Sequence, residues 1–216
     1  MGVKAISFDL DGTLVDYAFI DSIWFDEIPK LYSAKHHVSF EEAKKTVIDE
    51  YDKVGEDNLE WYDLKYWLRR FNLDYDPGRL LTENMNKVRV YRDAKEALTR
   101  FYGNYILAIN SNSPIEFIEV ELKQAGLNGF FQHVFSSTSH FHQVKKTPEC
   151  YVKVCNAMGV SPNELMHVGD NRRFDYEVPS SIGVKAIYLD RKRRCRGDTV
   201  VHNLKQLVEV LRRIDC

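Results

Sequence analysis

Short apolar runs and amphipathic segments alternate along most of this chain. Nearly continuous apolar runs lie at residues 3–8, 105–109, 165–168 and 184–189, with a shorter one at 134–135. Runs of this kind are typical of strands that are covered on both faces of a sheet. Helix-like segments separate them, and this order predicts a parallel sheet built from strand–helix–strand units.

The segments between the runs carry the start signals of helices. Ser39 and Ser161 each stand three residues before a glutamate, which is the pattern of a capping box. Asp76, Ser113 and Thr147 are each followed by a proline, which favours the first helical position. We therefore predict a helix after each of these residues, with Ser113 as the N-cap of its helix and a single turn after Ser161.

The alternation stops after the first strand and resumes only near residue 105. Residues 17–88 have the pattern of helices instead, with an amphipathic stretch at 39–54 and aromatic side chains at helical spacing over 59–71. We therefore predict an α/β protein with two parts. Residues 1–16 and 89–216 form a Rossmann-like parallel-sheet core, and residues 17–88 form a small inserted α-helical domain.

Composition and charge limit the functional classes. The 216 residues carry 30 Lys and Arg against 32 Asp and Glu, which disfavours a surface built for nucleic acid or an acidic membrane. A basic run at residues 191–196 fits a solvated loop better than a nucleic-acid site. No apolar run approaches the roughly 20 residues that span a bilayer, and the four cysteines form no CxxC pair. We expect a cytoplasmic monomer or small homo-oligomer without nucleic-acid or membrane partners.

Polar residues follow the first predicted strand, and parallel sheets bind ligands at the carboxyl ends of their strands. Asp9 and Asp11 come directly after this strand, followed by Gly12 and Thr13. Two neighbouring carboxylates can divide acid and base roles, and their oxygens are ligands that Mg²⁺ prefers. Gly12 permits a sharp turn beside a ligand. One such pair also occurs in ordinary turns, so the other strand ends decide between the two interpretations.

Three further segments supply groups that suit a phosphate ester. Ser111 and Asn112 follow the strand at 105–109 and precede a predicted helix, whose first N–H groups favour an anion. Asp170 follows the strand at 165–168, and Asp175 comes five residues later. Lys145 lies just before another predicted helix and offers a positive charge to an oxyanion.

Together these segments resemble the four motifs of the haloacid dehalogenase superfamily, in the same order and over the whole chain. DLDGT at 9–13 is similar to the first motif, and the strand end at Ser111 to the second. Residues 145–149 resemble the third motif, and residues 169–175 the fourth. The insert of ~70 residues after the first motif resembles the helical cap of this family.

This resemblance implies roles for three aspartates. Asp9 is the expected nucleophile, which forms an aspartyl-phosphate intermediate. Asp11 is expected to protonate the leaving oxygen and then to activate the water that hydrolyses the intermediate. Mg²⁺ is the expected cofactor, with Asp9, the backbone carbonyl of Asp11 and Asp170 as its ligands.

The resemblance also implies which residues bind the phosphoryl group. Ser111, Asn112 and Lys145 are expected to contact its oxygens, where negative charge must be stabilised. Asp175 is expected to bind the metal through water or to support Lys145. Lys146 stands where the third motif often has proline, so it competes for the phosphate role, and the spacing to the following proline favours Lys145.

These roles imply a Mg²⁺-dependent phosphatase for a small phosphorylated metabolite. Family branches that cleave carbon–halogen bonds replace the second aspartate, so Asp11 favours hydrolysis of a phosphate monoester. A phosphomutase and a 2-haloacid dehalogenase stay open as alternatives within the superfamily. A binding module that has lost catalysis is the alternative from a different class.

Overall fold

A parallel six-stranded sheet forms the centre of the computed structural model, which describes residues 2–214. The strands lie in the order β3-β2-β1-β4-β5-β6, and all neighbours are parallel. Their bounds are β1 (Ala5–Phe8), β2 (Ile106–Ser111), β3 (His133–Ser136), β4 (Leu165–Gly169), β5 (Lys185–Leu189) and β6 (Val200–Val201). This sheet confirms the predicted α/β class. All five apolar runs form strands, and only the two-residue β6 was not predicted.

The register of the sheet brings three strand ends to the same level. Phe8 at the end of β1 lies beside Ile109 of β2 and Val168 of β4. All four residues of β1 are buried, because strands flank it on both sides and helices cover the sheet. The residues that follow β1, β2 and β4 therefore emerge next to one another at one edge of the sheet.

Residues 18–87 form helices joined by turns and loops, and they contain no strand. A π-helical turn (Ile23–Glu27) joins the first two helices of this segment. Ser39 accepts a hydrogen bond from the N–H of Glu42, and Asp76 accepts one from the N–H of Arg79, so both predicted N-caps are confirmed. The helices are α1 (Ala18–Ser22), α2 (Ile28–His36), α3 (Phe40–Val54), α4 (Leu64–Arg70) and α5 (Pro77–Asn84).

The aromatic segment at 59–71 is divided, although its spacing predicts one helix. A 3₁₀ turn (Leu59–Tyr62) precedes Asp63, whose carboxylate accepts hydrogen bonds from the N–H groups of Lys65 and Tyr66. An aspartate side chain competes with the helical backbone in this way, so α4 begins only at Leu64.

The remaining helices cover the sheet. Thr147 caps its helix as predicted, by accepting a hydrogen bond from the N–H of Cys150. Among the residues that the structure describes, no helix is both long and apolar enough to cross a bilayer. These helices are α6 (Ala94–Phe101), α7 (Ile115–Ala125), α8 (Ser137–Phe141), α9 (Pro148–Met158), α10 (Val178–Ser181) and α11 (Leu207–Ile214).

Helix α7 does not begin as the sequence predicts. Pro114 occupies the N-cap position without a side-chain hydrogen bond, and the N–H of Ile115 donates to the hydroxyl of Ser139 instead. The hydroxyl of Ser113 is thereby released from the capping role. It donates to Asp11, so the predicted cap is wrong and this serine belongs to the strand-end cluster.

The helical segment has an apolar core of its own, to which residues of α7 contribute. Phe19, Ile23, Leu64 and Trp67 are fully buried in this cluster. Phe117 of α7 belongs to it as well, and its ring stacks on Trp24 with 5.5 Å between centroids. The helical segment is therefore seated on α7 by apolar contact.

Candidate active site

The loop after β1 is a tight turn that carries two buried carboxylates. The carbonyl of Leu10 accepts hydrogen bonds from the N–H groups of Leu14 and Val15, at 2.8 and 3.1 Å. This turn leaves Asp9 and Asp11 only 7% exposed each. Both acids therefore lie at the carboxyl end of the central strand, where the sequence predicts them.

Gly12 is required by the shape of this turn. Its φ is +78°, a conformation that residues with a Cβ rarely adopt. A Cβ at this position would also overlap the carboxylate of Asp170 and the hydroxyl of Tyr17. The absence of a side chain lets the first and fourth motifs meet. Beside Gly12, the hydroxyl of Tyr17 donates a hydrogen bond to Asp170 Oδ2 at 2.9 Å.

Three carboxylates from two strand ends form a candidate cation site. Asp9, Asp170 and Asp175 each place an oxygen within 4.8 Å of the others. Burial raises the pKa of Asp9 well above its ordinary value and raises the pKa of Asp170 to about 6. The charges of the neighbouring acids contribute to both of these raised values, which indicates an excess of negative charge in the cluster. This donor set of hard oxygens fits a divalent cation such as Mg²⁺.

The cation inside this cluster is Lys146. Its Nζ lies 2.6 Å from Asp9 Oδ1 and 2.5 Å from Asp175 Oδ1, and its side chain is only 2% exposed. Burial by itself lowers the pKa of Lys146, but the charges of Asp175 and Asp9 raise it above the ordinary value. Lys146 and Asp175 are therefore a buried ion pair, and Lys146 also reaches the predicted nucleophile.

Lys145 does not occupy the position that the sequence predicts for it. Its ammonium pairs with Glu56 and Asp57, in the loop after α3, and not with the acids at the strand ends, where the predicted phosphoryl-binding role requires it. Neighbouring side chains in a non-helical segment point in different directions, so only one of two consecutive lysines can enter the site. The choice between them depends on how this segment approaches β1.

A buried polar chain behind the site was not predicted. The hydroxyl of Ser7 lies 2.7 Å from His167 Nδ1, and His167 Nε2 lies 3.2 Å from Asp175 Oδ1. Burial lowers the pKa of His167, while Lys146 and His167 together hold the pKa of Asp175 below its usual range. Ser7 and His167 are direct partners across β1 and β4. Two polar residues in otherwise apolar strands are the signal that could have identified this chain.

A serine hydroxyl binds the second carboxylate. Ser113 Oγ donates to Asp11 Oδ2 at 2.6 Å, and Ser111 Oγ accepts the N–H of Ser113 at 3.1 Å. Burial raises the pKa of Asp11, and the Ser113 hydrogen bond opposes this effect. Glu121 of α7 is buried close to Asp11, and burial raises the pKa of Glu121 well above its ordinary value. Asp11 therefore lies in surroundings that favour a protonated carboxyl group more than water does.

Arg191 follows the carboxyl end of β5 and holds the turn after β1 in place. Its Nη2 donates to the carbonyl of Thr13 at 2.6 Å, and its Nε donates to the carbonyl of Gly12 at 3.3 Å. The guanidinium also pairs with both carboxylate oxygens of Asp93 at 3.1 Å and lies over the ring of Tyr91. The basic run at 191–196 is therefore a solvated loop only in part, because its first residue supports the turn after β1.

A cavity of about 190 Å³ joins these groups beneath the helical segment. Ile20 and Tyr62 line it from the helical side, and Phe174 lines it from the fourth motif. Thr13 stays beside it and donates to Asp9 Oδ2 at 3.4 Å. Of the residues predicted for the site, the structure brings these together in one cavity: Asp9, Asp11, Ser111, Asn112, Asp170 and Asp175.

Comparisons with known proteins agree with this architecture. Residues 3–183 match the family described as haloacid dehalogenase-like hydrolase. The chain is 29% identical to the glyceraldehyde 3-phosphate phosphatase of Pyrococcus furiosus, over 98% of this chain and 94% of that protein. It is 28% identical to the GMP/IMP nucleotidase YrfG of Escherichia coli, over 78% of this chain and 75% of that protein. A HAD phosphatase from Thermococcus onnurineus has a TM-score of 0.84 and 26% identity, covering 97% of this chain and 98% of that chain.

Proposed function

The chain belongs to the haloacid dehalogenase-like hydrolases, and we propose that it is a Mg²⁺-dependent phosphatase for a small phosphorylated metabolite in the cytoplasm. The family match confirms the resemblance and the expectation of a hydrolase. The observation that supports the phosphatase assignment most is the pair of buried acids, Asp9 beside Lys146 and Asp11 beside Ser113. The two relatives named above bear the names of enzymes that act on small phosphorylated compounds, which agrees with this substrate class.

Asp9 is the proposed nucleophile. Lys146 and Thr13 both donate to its carboxylate, which holds the group in one orientation at the floor of the cavity. A carboxylate oxygen of Asp9 attacks phosphorus in line while the ester P–O bond of the substrate breaks. The product of this step is an aspartyl phosphate, and the leaving alkoxide needs a proton.

Asp11 is the proposed general acid and base. The buried surroundings raise its pKa, so the carboxyl group can hold a proton for the leaving oxygen. After the alcohol departs, the Asp11 carboxylate accepts a proton from the water that attacks the aspartyl phosphate. This second step releases inorganic phosphate and returns Asp9 to its starting form.

Ser111, Asn112 and Lys146 are the proposed phosphoryl-binding residues. All three line the cavity beside Asp9, and the ammonium of Lys146 already faces the attacking carboxylate. A positive charge fixed in a buried site stabilises charge on the phosphoryl oxygens more than the same charge in water does. Lys146 therefore takes the role that the sequence predicts for Lys145.

Mg²⁺ fits the oxygen cluster, with Asp9, the Asp11 carbonyl and Asp170 as the proposed ligands. When bound, the ion supplies the positive charge that the cluster of acids lacks, and it polarises the phosphoryl group. Asp175 is already paired with Lys146 and His167. We therefore assign Asp175 to the support of Lys146 and leave direct coordination to the other two acids.

Phosphate release from an aryl phosphate tests this proposal. We expect turnover with Mg²⁺, loss of turnover with EDTA, and recovery when Mg²⁺ is restored. Asp9→Asn should abolish phosphate release, and Asp11→Asn should reduce it by about 10²-fold or more, since it removes acid–base catalysis. Asp74→Asn, at an exposed position in the helical segment, is the matched control and should behave as wild type.

Retained turnover in Asp9→Asn would overturn the nucleophile assignment. Chloride release from a 2-haloacid without phosphate release would favour the dehalogenase alternative. Interconversion of two sugar phosphates without net phosphate release would favour the phosphomutase. Absence of turnover across a broad panel of phosphate esters would favour a binding module.

A further inference from the structure

A second cavity, of about 280 Å³, lies next to the catalytic one. The two cavities share Tyr17 and Asp170 as lining residues. The second cavity has a different chemical character, because basic and phenolic side chains outnumber its two acids, Asp170 and Asp190. Besides Tyr17, the basic and phenolic residues are Tyr91, Tyr188, Arg191, Lys192 and Arg194.

Two of the three cations in this wall are uncompensated. Arg191 is neutralised by Asp93 and is already committed to the turn after β1. The side chains of Lys192 and Arg194 are exposed, and neither has a hydrogen-bond or ion-pair partner among the residues that the structure describes. The cavity therefore presents two positive charges without acidic partners of their own.

Asp190 also lines this cavity, but backbone donors of the basic loop satisfy its carboxylate. Its buried carboxylate accepts the N–H of Cys195 at 2.6 Å, and its carbonyl accepts the N–H of Arg193 at 3.0 Å. These bonds close the basic loop on itself and satisfy the charge of Asp190 with backbone donors. Arg193 lies in this loop at a positive φ of 57° and does not line the cavity.

We propose that this cavity binds a second anionic group of the substrate, a phosphate attached to the same molecule as the scissile one. The inference rests on the proposed phosphatase function and narrows its substrate class to bisphosphorylated compounds. Ammonium and guanidinium groups are the usual protein partners of phosphate, and guanidinium can bind it in a bidentate manner. The two cavities share Tyr17 and Asp170 as lining residues, so an anionic group in the second cavity would lie next to the catalytic one.

Paired substrates that differ by one phosphate test the proposal. Propane-1,3-diol bisphosphate and propane-1,3-diol monophosphate have the same carbon chain, and kcat and KM are measured for each. We expect the wild type to prefer the bisphosphate through a lower KM. The double variant Lys192→Ala/Arg194→Ala should raise the KM for the bisphosphate by about tenfold, the loss expected from two exposed charge contacts. Its kcat, and its KM for the monophosphate, should stay close to wild type.

Arg193→Ala is the matched control, because it removes a cation from the same loop but not from the cavity. It should leave both KM values unchanged. Equal preference for the two substrates in wild type, or the same KM shift in Arg193→Ala as in the double variant, would overturn the proposal. A general effect of loop charge on approach to the site would produce that second outcome.

Binding measurements separate this inference from the proposed function. Titration calorimetry with Asp9→Asn, which leaves the cavity intact, measures the affinity for the bisphosphate without turnover. A bisphosphate affinity that depends on Lys192 and Arg194 supports the cavity even if no substrate is hydrolysed. Inorganic phosphate tests whether the cavity binds a free anion instead. If it inhibits the monophosphate reaction non-competitively and only when both cations are present, while the bisphosphate has no lower KM than the monophosphate, the cavity is a site for a free anion, and the substrate-borne phosphate is ruled out.

Discussion

Lys146 is the residue on which the charge balance of the buried acids depends. It pairs with Asp9 and Asp175 in a place that water hardly reaches. Removing one partner from a buried ion pair costs about 3–5 kcal/mol, because the other charges stay buried and unpaired. Lys146→Met should therefore lower the free energy of unfolding by a few kcal/mol and abolish phosphate release. Urea denaturation and phosphate assays measure the two effects.

Lys145→Met is the matched control for this substitution. Lys145 bonds to exposed acids of the helical segment, and such pairs contribute about 0–1 kcal/mol. The free energy of unfolding of Lys145→Met should therefore stay within about 1 kcal/mol of wild type, and phosphate release should be retained. The assignment of Lys146 fails if the two variants lose activity to the same extent.

Asp170 links stability to pH. Its pKa is raised from 3.8 to about 6, first by burial, so the folded protein binds this proton more tightly than the unfolded chain does. As pH rises through this window the unfolded chain loses the proton first, and this group lowers the stability of the fold. Asp170→Asn cannot titrate. Without Mg²⁺, its stability relative to wild type should therefore increase as pH rises from 3.8 to about 6 and stay constant above.

Comparison of the two proteins at each pH cancels the contributions of groups that do not interact with Asp170, such as His167, whose lowered pKa acts in the opposite direction. Urea denaturation in EDTA over this range measures the difference. Asp74→Asn is the control, because it makes the same substitution at an exposed site. A stability difference between Asp170→Asn and wild type that is independent of pH would contradict the raised pKa of Asp170.

At the scale of elements, the turn after β1 depends on a glycine for two reasons that can be separated. Gly12 and Gly103 both have positive φ, at 78° and 81°. A Cβ on Gly103 would meet nothing within 4 Å, whereas a Cβ on Gly12 would overlap Asp170 and Tyr17. Gly103→Ala should lower the free energy of unfolding only by the conformational strain, about 1–2 kcal/mol. Gly12→Ala should lower the free energy of unfolding by a larger amount, and it should also abolish phosphate release.

Thermal unfolding and phosphate assays on both variants measure this contrast. Equal losses of stability, with activity retained in Gly12→Ala, would show that close approach to Asp170 is unimportant. The comparison therefore separates backbone strain from contact between the first and fourth motifs.

The elements themselves were predictable where the signal is local. Strands appear at all five apolar runs, and Ser39, Asp76 and Thr147 cap the predicted helices. The failures have one cause in common, a polar side chain with two competing partners. Asp63 bonds to the backbone inside the predicted helix, and Ser113 bonds to Asp11 instead of to its own helix. Periodicity does not show which partner such a side chain takes.

At the scale of the whole molecule, Phe117 holds the helical segment on the sheet domain. It is fully buried in the core of the helical segment although it belongs to α7, and its ring stacks on Trp24. Phe117→Ala should lower the free energy of unfolding by about 3–5 kcal/mol, because it leaves a cavity where the two parts meet. Phe117→Leu retains most of the apolar volume and should lose much less. Chemical denaturation measures both, and similar small losses would show that this contact does not hold the parts together.

The sequence by itself determined the fold class and most of the acids in the candidate site. Strand runs, caps and the DLDGT segment are short-range signals, and the carboxyl ends of neighbouring parallel strands necessarily lie together. Asp9, Asp11, Asp170 and Asp175 therefore follow from their positions after β1 and β4. The division of the chain at residues 16/17 and 88/89 stays a prediction.

Only the tertiary structure decided which lysine enters the site, which histidine supports it and which arginine holds the turn. Lys146 meets Asp9 across 137 positions of the chain, His167 meets Ser7 across 160, and Arg191 meets Thr13 across 178. Each contact depends on where packing places one segment relative to another, and a neighbour such as Lys145 has the same local pattern. Charge and residue type limit the candidates, but packing of the folded chain selects among them.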